Sequence, residues 1–244
     1  MRITYDQILN KTPMKYIILG LGNFGASLAE KLTEMGNEVI GVDVNMSKVD
    51  MLKDKITHVV ALDSTDITAV TNLPIKDTDV VIVAIGEDKE ANILATALMK
   101  QLQAKRLIGR AVSPLQKMIL EAMDVTEIIH PEEETAERWS KKLNLKGVVD
   151  SFEINKDYSI VETSVPEDYD GKTLEEVGLK RKYHIIVLTT LKITQETNLL
   201  GTKKNVTNVQ GVASARTIFH KGEIMVLYGH NKDLKKLLKD QDKY

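Results

Sequence analysis

The segment Gly20-Leu21-Gly22-Asn23-Phe24-Gly25 constrains the fold of this chain more than any other six residues. The apolar run Tyr16-Ile17-Ile18-Leu19 leads into it. Phe24, Leu28, Leu32 and Met35 lead out of it at helical spacing, and Gly36 supplies a stop signal. Three glycines at this spacing can arise by accident in a chain with 14 of them. Between a strand and a helix, however, they read as the turn of a dinucleotide-binding βαβ unit. In that reading Gly20 makes the tight turn, Gly22 lets the backbone approach a pyrophosphate, and Gly25 lets the helix pack closely on the strand. The free amides and partial positive charge at the helix N-terminus then face the phosphates.

The same alternation continues. Val39-Ile40-Gly41-Val42 and His58-Val59-Val60-Ala61 are the next strands, and Val80 to Ile85, continuously apolar, predicts a strand buried on both faces. Ala91, Leu94, Ala95, Leu98 and Leu102 mark one face of a helix. Arg106 to Ala111 is a further strand, Ser113-Pro114 an N-cap followed by proline at the first helical position, and Glu127 to Ile129 a last strand. Six strand–helix alternations predict an α/β domain over residues 14–135, a Rossmann-type doubly wound parallel sheet. After Leu145 the pattern changes. Phe152 and Ile154 alternate with polar neighbours, Asn155-Lys156-Asp157 is a turn, and Tyr158 to Val165 is a second strand. A short helix at Leu174 to Val177, a strand at His184 to Thr190, a polar loop from Asn198 to Arg216 and a strand at Ile224 to Leu227 come next. A terminal helix carries Leu234, Leu237 and Leu238 on one face. Residues 150–244 therefore predict a small α+β C-terminal domain of about 90 residues with its own core.

Residues 136–149 read as a connector helix with Ala136, Trp139 and Leu143 on a narrow stripe and i,i+4 pairs Glu134–Arg138 and Glu137–Lys141. Residues 1–13 are a leader whose status the sequence leaves open; they hold no apolar run of signal-peptide length. No uncharged apolar stretch approaches the ~20 residues that span a bilayer. Charge is balanced, 33 basic against 35 acidic residues, so no basic excess exists to neutralise a nucleic acid. The absence of cysteine excludes disulfides, thiolate zinc sites and a cysteine nucleophile, and fits a reducing cytoplasm.

Asp43, at the end of the second strand, stands where a carboxylate accepts hydrogen bonds from both ribose hydroxyls and repels a 2′-phosphate; the alternative is a cap for the helix starting at Met46. Asp63-Ser64-Thr65 and Ala84-Ile85-Gly86 come after the third and fourth strands, at the carboxyl ends where such sheets bind ligands. Ordinary turn and cap chemistry explains them equally well. Catalytic apparatus is harder to find. Tyr228 and Lys232, four apart, resemble the tyrosine–lysine pair of short-chain reductases, but the glycine spacing differs and the pair lies outside the nucleotide domain. His58, His130, His184, His220 and His230 have no partners at relay or metal spacing, and no P-loop is present. The residues describe a nucleotide pocket without evident chemistry beside it.

GLGNFGASLAEKL with a following VDVN, VVIVAIGEDKEAN, RAVSP and IIHPEEE, then YSIVE, KRKYHIIVLTT and VLYGHNKDLKKL, give the chain from Met14 to about Lys235 a family likeness. It resembles the cytoplasmic regulatory subunit of Trk/Ktr-type bacterial potassium uptake systems, in which an N-terminal regulator-of-potassium-conductance (RCK) domain is joined to a C-terminal one. The resemblance implies phosphate contacts at Gly20, Gly22, Asn23, Phe24 and Gly25, and ribose at Asp43 with Asn45 nearby. It implies adenine or adjacent sugar at Asp63, Ser64 and Thr65, and further contacts at Ala84, Ile85, Gly86 and Arg110. Glu132 matches an acidic residue that in the Ktr branch lies near the terminal phosphate and holds a cation, divalent or monovalent, between subunits; the alternative is a first-turn carboxylate favoured by the helix dipole.

Asn23 stands where the Ktr branch often has a phosphate-pairing arginine, which leaves NAD or NADH and ATP or ADP all open. The stretch Asn198 to Arg216 is longer and more polar than the family's proline-containing loop, a departure in the region where some Ktr-type members bind cyclic di-AMP; Lys180-Arg181-Lys182 reads as an exposed basic turn. The resemblance implies a non-enzymatic regulator, cytoplasmic and held at the inner face of the membrane by its partner. Homodimers would assemble into a ring, an octamer, beneath a membrane potassium-transporting subunit, with the Trp139 helix as a subunit contact or packed within its own chain. The other readings are an NAD-dependent oxidoreductase and a nucleotide-responsive regulator of another partner.

Overall fold

A computed structural model describes residues 12–144, 148–197 and 203–241, so the leader up to residue 11 and the start of the polar loop at 198–202 lie outside the described residues. Two compact units divide between Glu133 and Glu134.

The first unit is a six-stranded parallel sheet in the order β3-β2-β1-β4-β5-β6. Its strands are β1 (Lys15–Leu19), β2 (Glu38–Asp43), β3 (His58–Ala61), β4 (Val80–Val83), β5 (Leu107–Arg110) and β6 (Glu127–Ile129). Between them run α1 (Asn23–Glu34), α2 (Met46–Leu52), α3 (Ile67–Val70), α4 (Lys89–Gln101) and α5 (Pro114–Ala122), and α6 (Pro131–Asn144) begins in this unit and runs on into the second. The chain winds outward from β1 to β3, then crosses to β4 on the other side of β1. The winding therefore reverses between β1 and β4, the place where sheets of this kind bind ligands beyond the carboxyl ends of their strands. Alternating side chains divide the core between the two faces of the sheet. Ile17 and Leu19 join Val81, Val83, Ala95 and Met99, whereas Ile18 joins Ala29, Val39 and Ile82. Each buried isoleucine, leucine, valine or methionine side chain among them contributes about 1.5–3 kcal/mol.

Three expectations change at this level. β4 ends at Val83 rather than Ile85: the Ala84 amide still donates to the Leu19 carbonyl at 2.7 Å, after which the chain turns across Gly20. On α4 the side facing the sheet is Asn92, Ala95, Thr96 and Met99, while Leu94 is exposed. On α1, Gly25 and Ala29 rather than the larger residues are fully buried, and Met35 caps the helix in solvent. At Gly25 the close approach of α1 to the sheet leaves no room for a side chain, whereas α4 also seats Met99 against the sheet.

The second unit is a five-stranded antiparallel sheet ordered β10-β9-β11-β8-β7. Its strands are β7 (Val148–Glu153), β8 (Tyr158–Ser164), β9 (Ile186–Thr197), β10 (Lys203–Val209) and β11 (Ile224–His230). Helices α7 (Leu174–Val177), α8 (Leu179–Tyr183) and α9 (Asn231–Gln241) complete it. Val161, Val187, Phe219, Met225 and Leu227 form its core with Leu234, Leu237 and Leu238 from α9. Thr173 and Glu176 form a reciprocal capping box at α7, and Gly178, in the left-handed region, ends it.

Here the polar stretch read as a loop is in part a strand. Residues 203–209 pair antiparallel with β9 in a register from Lys203 opposite Thr197 to Val209 opposite Leu191, and β9 runs well past Thr190. An edge strand needs no apolar run, since one of its edges is unpaired, and the asparagines of KKNVTNV suit that position. Lys180, Arg181 and Lys182 lie on α8, not in a turn. Tyr228 is on β11 and Lys232 on α9, so the reductase-like pair is not on one helix. His184, expected at a strand start, instead caps α8 with a left-handed backbone (φ 56°). Arg138, expected to pair along its own helix, is ion-paired with Asp150.

Candidate functional site

The loop after β1 is shaped by what its glycines exclude. Gly20 sits at φ +97°, and a Cβ there would meet Ile85 Cγ1 at 2.8 Å and its amide nitrogen at 2.9 Å. A Cβ on Gly25 would overlap the carbonyl oxygen of Gly20, so α1 can approach β1 only through glycine. Around Gly22 the situation reverses: nothing lies within 4 Å of where its Cβ would be. This is open space on the outer side of the loop.

Gly22 is also the N-cap of α1, and it supplies no side-chain acceptor. The helices after β2, β3, β4 and β5 are all closed by side chains, from Asn45, Asp66, Asp88 and Ser113 respectively. The first-turn amides of α1 lack such a cap, beside the open space over Gly22. Unsatisfied amides and the helix dipole together favour an anion there.

Asp43 fixes the loop from the neighbouring strand. Only 8% exposed, it accepts from the Leu21 amide at 2.7 Å and the Asn45 amide at 2.9 Å, with Lys48 Nζ at 3.7 Å. It does not cap α2; Asn45 does so by accepting from the Ser47 amide at 2.9 Å. Each carboxylate oxygen has one amide donor, and its second lone pair can take a hydroxyl. Beyond β3, the Asp63 carboxylate accepts from both the Thr65 hydroxyl (2.7 Å) and amide (2.9 Å), and these donors hold its pKa below the usual 3.8. Ser64 between them is buried.

On the other side of β1 the remaining predicted residues converge on one guanidinium. Arg110, 9% exposed at the end of β5, donates from Nη1 to the Ala84 carbonyl at 3.0 Å and is ion-paired through Nη2 with Glu132. The guanidinium carbon lies 5.6 Å from the centroid of the Phe24 ring, within cation–π range. Gly86 makes room for it: a Cβ there would stand 2.5 Å from Nη1. Glu132 thus meets an arginine, and among the described residues no group of three or more His, Asp or Glu side chains is placed to hold a metal.

Sequence reasoning missed Asn92. It is fully buried on α4, and its Nδ2 donates to the Ile85 carbonyl at 2.6 Å and the Arg110 carbonyl at 3.1 Å, tying the ends of β4 and β5 together. The available signal was the polar pair Asn92 and Thr96 at i, i+4 with the small Ala95 between, a stripe that looked like the wrong face. Asn92 Oδ1, Arg110 Nε and Gln116 Nε2 are buried without a hydrogen-bond partner. All three belong to residues at or just beyond the carboxyl ends of β4 and β5.

Residues 16–131 match the TrkA-N domain family. Along 91% of its length the chain is 28% identical to Ktr system potassium uptake protein A of Bacillus subtilis (strain 168), covering 94% of that protein. It is 29% identical to protein C of the same system and organism, over 92% of this chain and 96% of that one. Among solved structures, the GsuK RCK domain superposes with a TM-score of 0.61 at 16% identity, covering 94% of this chain but 48% of that one. The GsuK channel bound to NAD gives 0.60 at 16% identity, over 92% of this chain and 39% of that one. The chain therefore spans less than half the length of these structural neighbours, and the likeness to them is one of fold.

Proposed function

From a chain whose residues 16–131 belong to the TrkA-N domain family, and which is similar to Ktr potassium uptake proteins along more than nine-tenths of its length, we infer a nucleotide-sensing regulator of potassium uptake. The observation that carries this reading is the helix α1 N-terminus: it lacks a side-chain cap, opens onto free space at Gly22, and is bracketed by Asp43 on one side and Arg110 on the other. An adenine nucleotide suits it. The pyrophosphate takes the α1 amides, the ribose hydroxyls take the free lone pairs of Asp43, and the adenine end lies toward Asp63, Ser64 and Thr65. Asn45, Ala84, Ile85 and Gly86 line the approach. NAD or NADH and ATP or ADP share the adenosine pyrophosphate on which this fit depends, and support comes from the GsuK channel of the same fold, which has been solved bound to NAD.

In this reading the bound nucleotide acts as a signal, as suits a chain similar to potassium uptake proteins. Homodimers joined into a ring beneath a membrane potassium-transporting subunit would convert occupancy into gating, provided the nucleotide binds one ring conformation more tightly than another. No helix among the described residues is long and apolar enough to cross a membrane, and attachment to the inner face falls to the partner. A cation at Glu132 would have to complete its shell from the nucleotide or a second subunit.

Calorimetry with ATP, ADP, NAD and NADH tests the reading, with light scattering on the same samples to read assembly. Adenine nucleotides bind the wild type, and Gly22→Asp abolishes binding because its carboxylate fills the phosphate space and repels the ligand. Binding unchanged in Gly22→Asp, or a monomer in every ligand state, counts against it.

A further inference from the structure

We propose that the outer face of α9, extended by α8, is a basic surface that docks the second unit onto an anionic lipid bilayer. This rests on the potassium-uptake reading above for the choice of a membrane as the anionic partner, and on nothing at the nucleotide site.

α9 has two distinct faces. Leu234, Leu237 and Leu238 are buried in the core of the second unit, whereas Lys232, Lys235, Lys236 and Lys239 are all exposed. The lysines fall at i, i+3, i+4 and i+7, which is one stripe along two turns. The carboxylates of the helix stand aside from it: Asp233 and Asp240 are partly buried, and Asp240 accepts from the Tyr183 hydroxyl at 3.2 Å. That contact also joins α8 to the stripe, since Lys236 Nζ lies 5.7 Å from the centroid of the Tyr183 ring. α8 contributes Lys180, Arg181 and Lys182, again all exposed. Among the described residues none of these seven cations is ion-paired. The chain carries a net charge of −2, so attraction to an anionic surface has to come from one face and not from the whole.

A face kept only for solubility gains by mixing signs. The exposed part of α6 does so, interleaving Glu134 and Glu137 with Arg138. α9 instead sets like charges three and four residues apart, an arrangement that weakens a helix in water. An external anion relieves that repulsion. Lysine is a flexible point charge without the planar fork that reads one shaped anion, and it suits an extended field of headgroups. Clusters of four to eight basic residues on an amphipathic helix have the density that anionic leaflets attract. The stripe carries no exposed aromatic ring on which a nucleic-acid base could stack, because Tyr183 is partly buried beside Lys236. The leucines of α9 are committed to the core, so the helix lies on the headgroups without inserting. Such docking is reversible and fails as salt rises, since the Debye length falls from about 10 Å at 0.1 M to about 3 Å at 1 M.

The experiment is co-sedimentation of the full chain with vesicles, in the absence of nucleotide and of any transporter. Wild type is expected to bind vesicles of phosphatidylcholine mixed with phosphatidylglycerol, to ignore phosphatidylcholine alone, and to be released by high salt. Changing Lys232, Lys235, Lys236 and Lys239 together to Gln keeps good helix formers on the exposed face, and circular dichroism melting checks the fold. This variant loses at least about tenfold in partitioning, given roughly fivefold for each basic residue close to an anionic surface. A second variant, Lys180→Gln with Arg181→Gln and Lys182→Gln, leaves α9 untouched and also binds more weakly. A third removes the same charge from exposed positions of the first unit, Lys53, Lys76, Lys89 and Lys117 to Gln, and stays within about twofold of wild type. Three results overturn the proposal: no binding by wild type, full binding by the α9 variant, or an equal loss in the first-unit variant. Duplex DNA that displaces wild type from the vesicles at equal phosphate concentration overturns the choice of lipid and assigns the face to nucleic acid. ADP binding by wild type, measured separately by calorimetry, keeps the nucleotide reading standing whichever way the vesicles decide.

Discussion

At the scale of single residues the loop after β1 is defined by three glycines with three different reasons to be there. Gly20 is required by its backbone angle, Gly25 by the carbonyl against its Cα, and Gly22 by neither, since space is free around it. Only at Gly22 does the fold itself impose nothing, and so Gly22 is the informative position. Asp63 makes a sharper case for testing. Its carboxylate takes two donors from Thr65, the hydroxyl contributing most, and its pKa is lowered from 3.8. A lowered carboxylate contributes stability that is fully present above its unfolded value and is lost as pH falls through the folded one. The turn after β3 should therefore persist at pH 3.8 and loosen only below it. Side-chain carboxyl and Thr65 amide chemical shifts, followed by NMR through the acid range, check this. An Asp63 that titrates at or above 3.8 would mean that the turn is not formed, and Thr65→Val should bring its titration up toward that value. The group is mostly solvent-exposed, so the effect on global stability is small.

At the scale of elements, packing and exposure separate the parts of the C-terminal sheet. Leu237 on α9 is fully buried among Val161, Leu227 and Phe219, and Leu237→Ala should cost about 2–5 kcal/mol through lost burial and a residual cavity. Val209 at the end of β10 is 66% exposed, and Val209→Ser should stay within about 0.5 kcal/mol. Urea melts of the two variants check the contrast; comparable losses would place β10 in the core. The same division explains what could be read from the sequence. α9 was legible because its three leucines fall on one face, and β1 and β4 because strands buried on both faces are continuously apolar. β10 was not, since an edge strand with polar residues carries no periodic signal distinct from a loop. The sheet-facing side of α4 was read only in part, for a related reason: Ala95, Leu98 and Leu102 do pack against the core, but Leu94 does not. Apolar periodicity marks the larger side chains, whereas the close approach to β4 and β5 selected Asn92, Ala95 and Thr96. For the candidate site, motif spacing located Gly20 to Gly25 and Asp43. The contacts that gather Phe24, Gly86 and Glu132 around the Arg110 guanidinium join residues from about 20 to nearly 90 positions apart, and no local pattern encodes them.

At the scale of the whole molecule, the candidate site and the second core share no residue. Gly20 to Gly25, Asp43, Asp63 to Thr65, Ala84 to Gly86, Asn92, Arg110 and Glu132 all precede the division at Glu133. The three hydrophobic clusters of the first unit draw only on residues before that division, and the cluster of the second unit only on residues after it. Each core cluster of the first unit is complete without any residue of the second. A fragment ending at Asn144, which retains α6 whole, should therefore fold cooperatively and bind ADP with an affinity within about threefold of the full chain, a difference of under ~1 kcal/mol. Circular dichroism melting and calorimetry on the fragment check both halves of this expectation. If it folds but loses ADP, groups beyond Asn144 complete the site. If it binds as the full chain does, sensing resides in the first unit, and the second unit must act downstream of ligand binding, in assembly or in coupling to the partner.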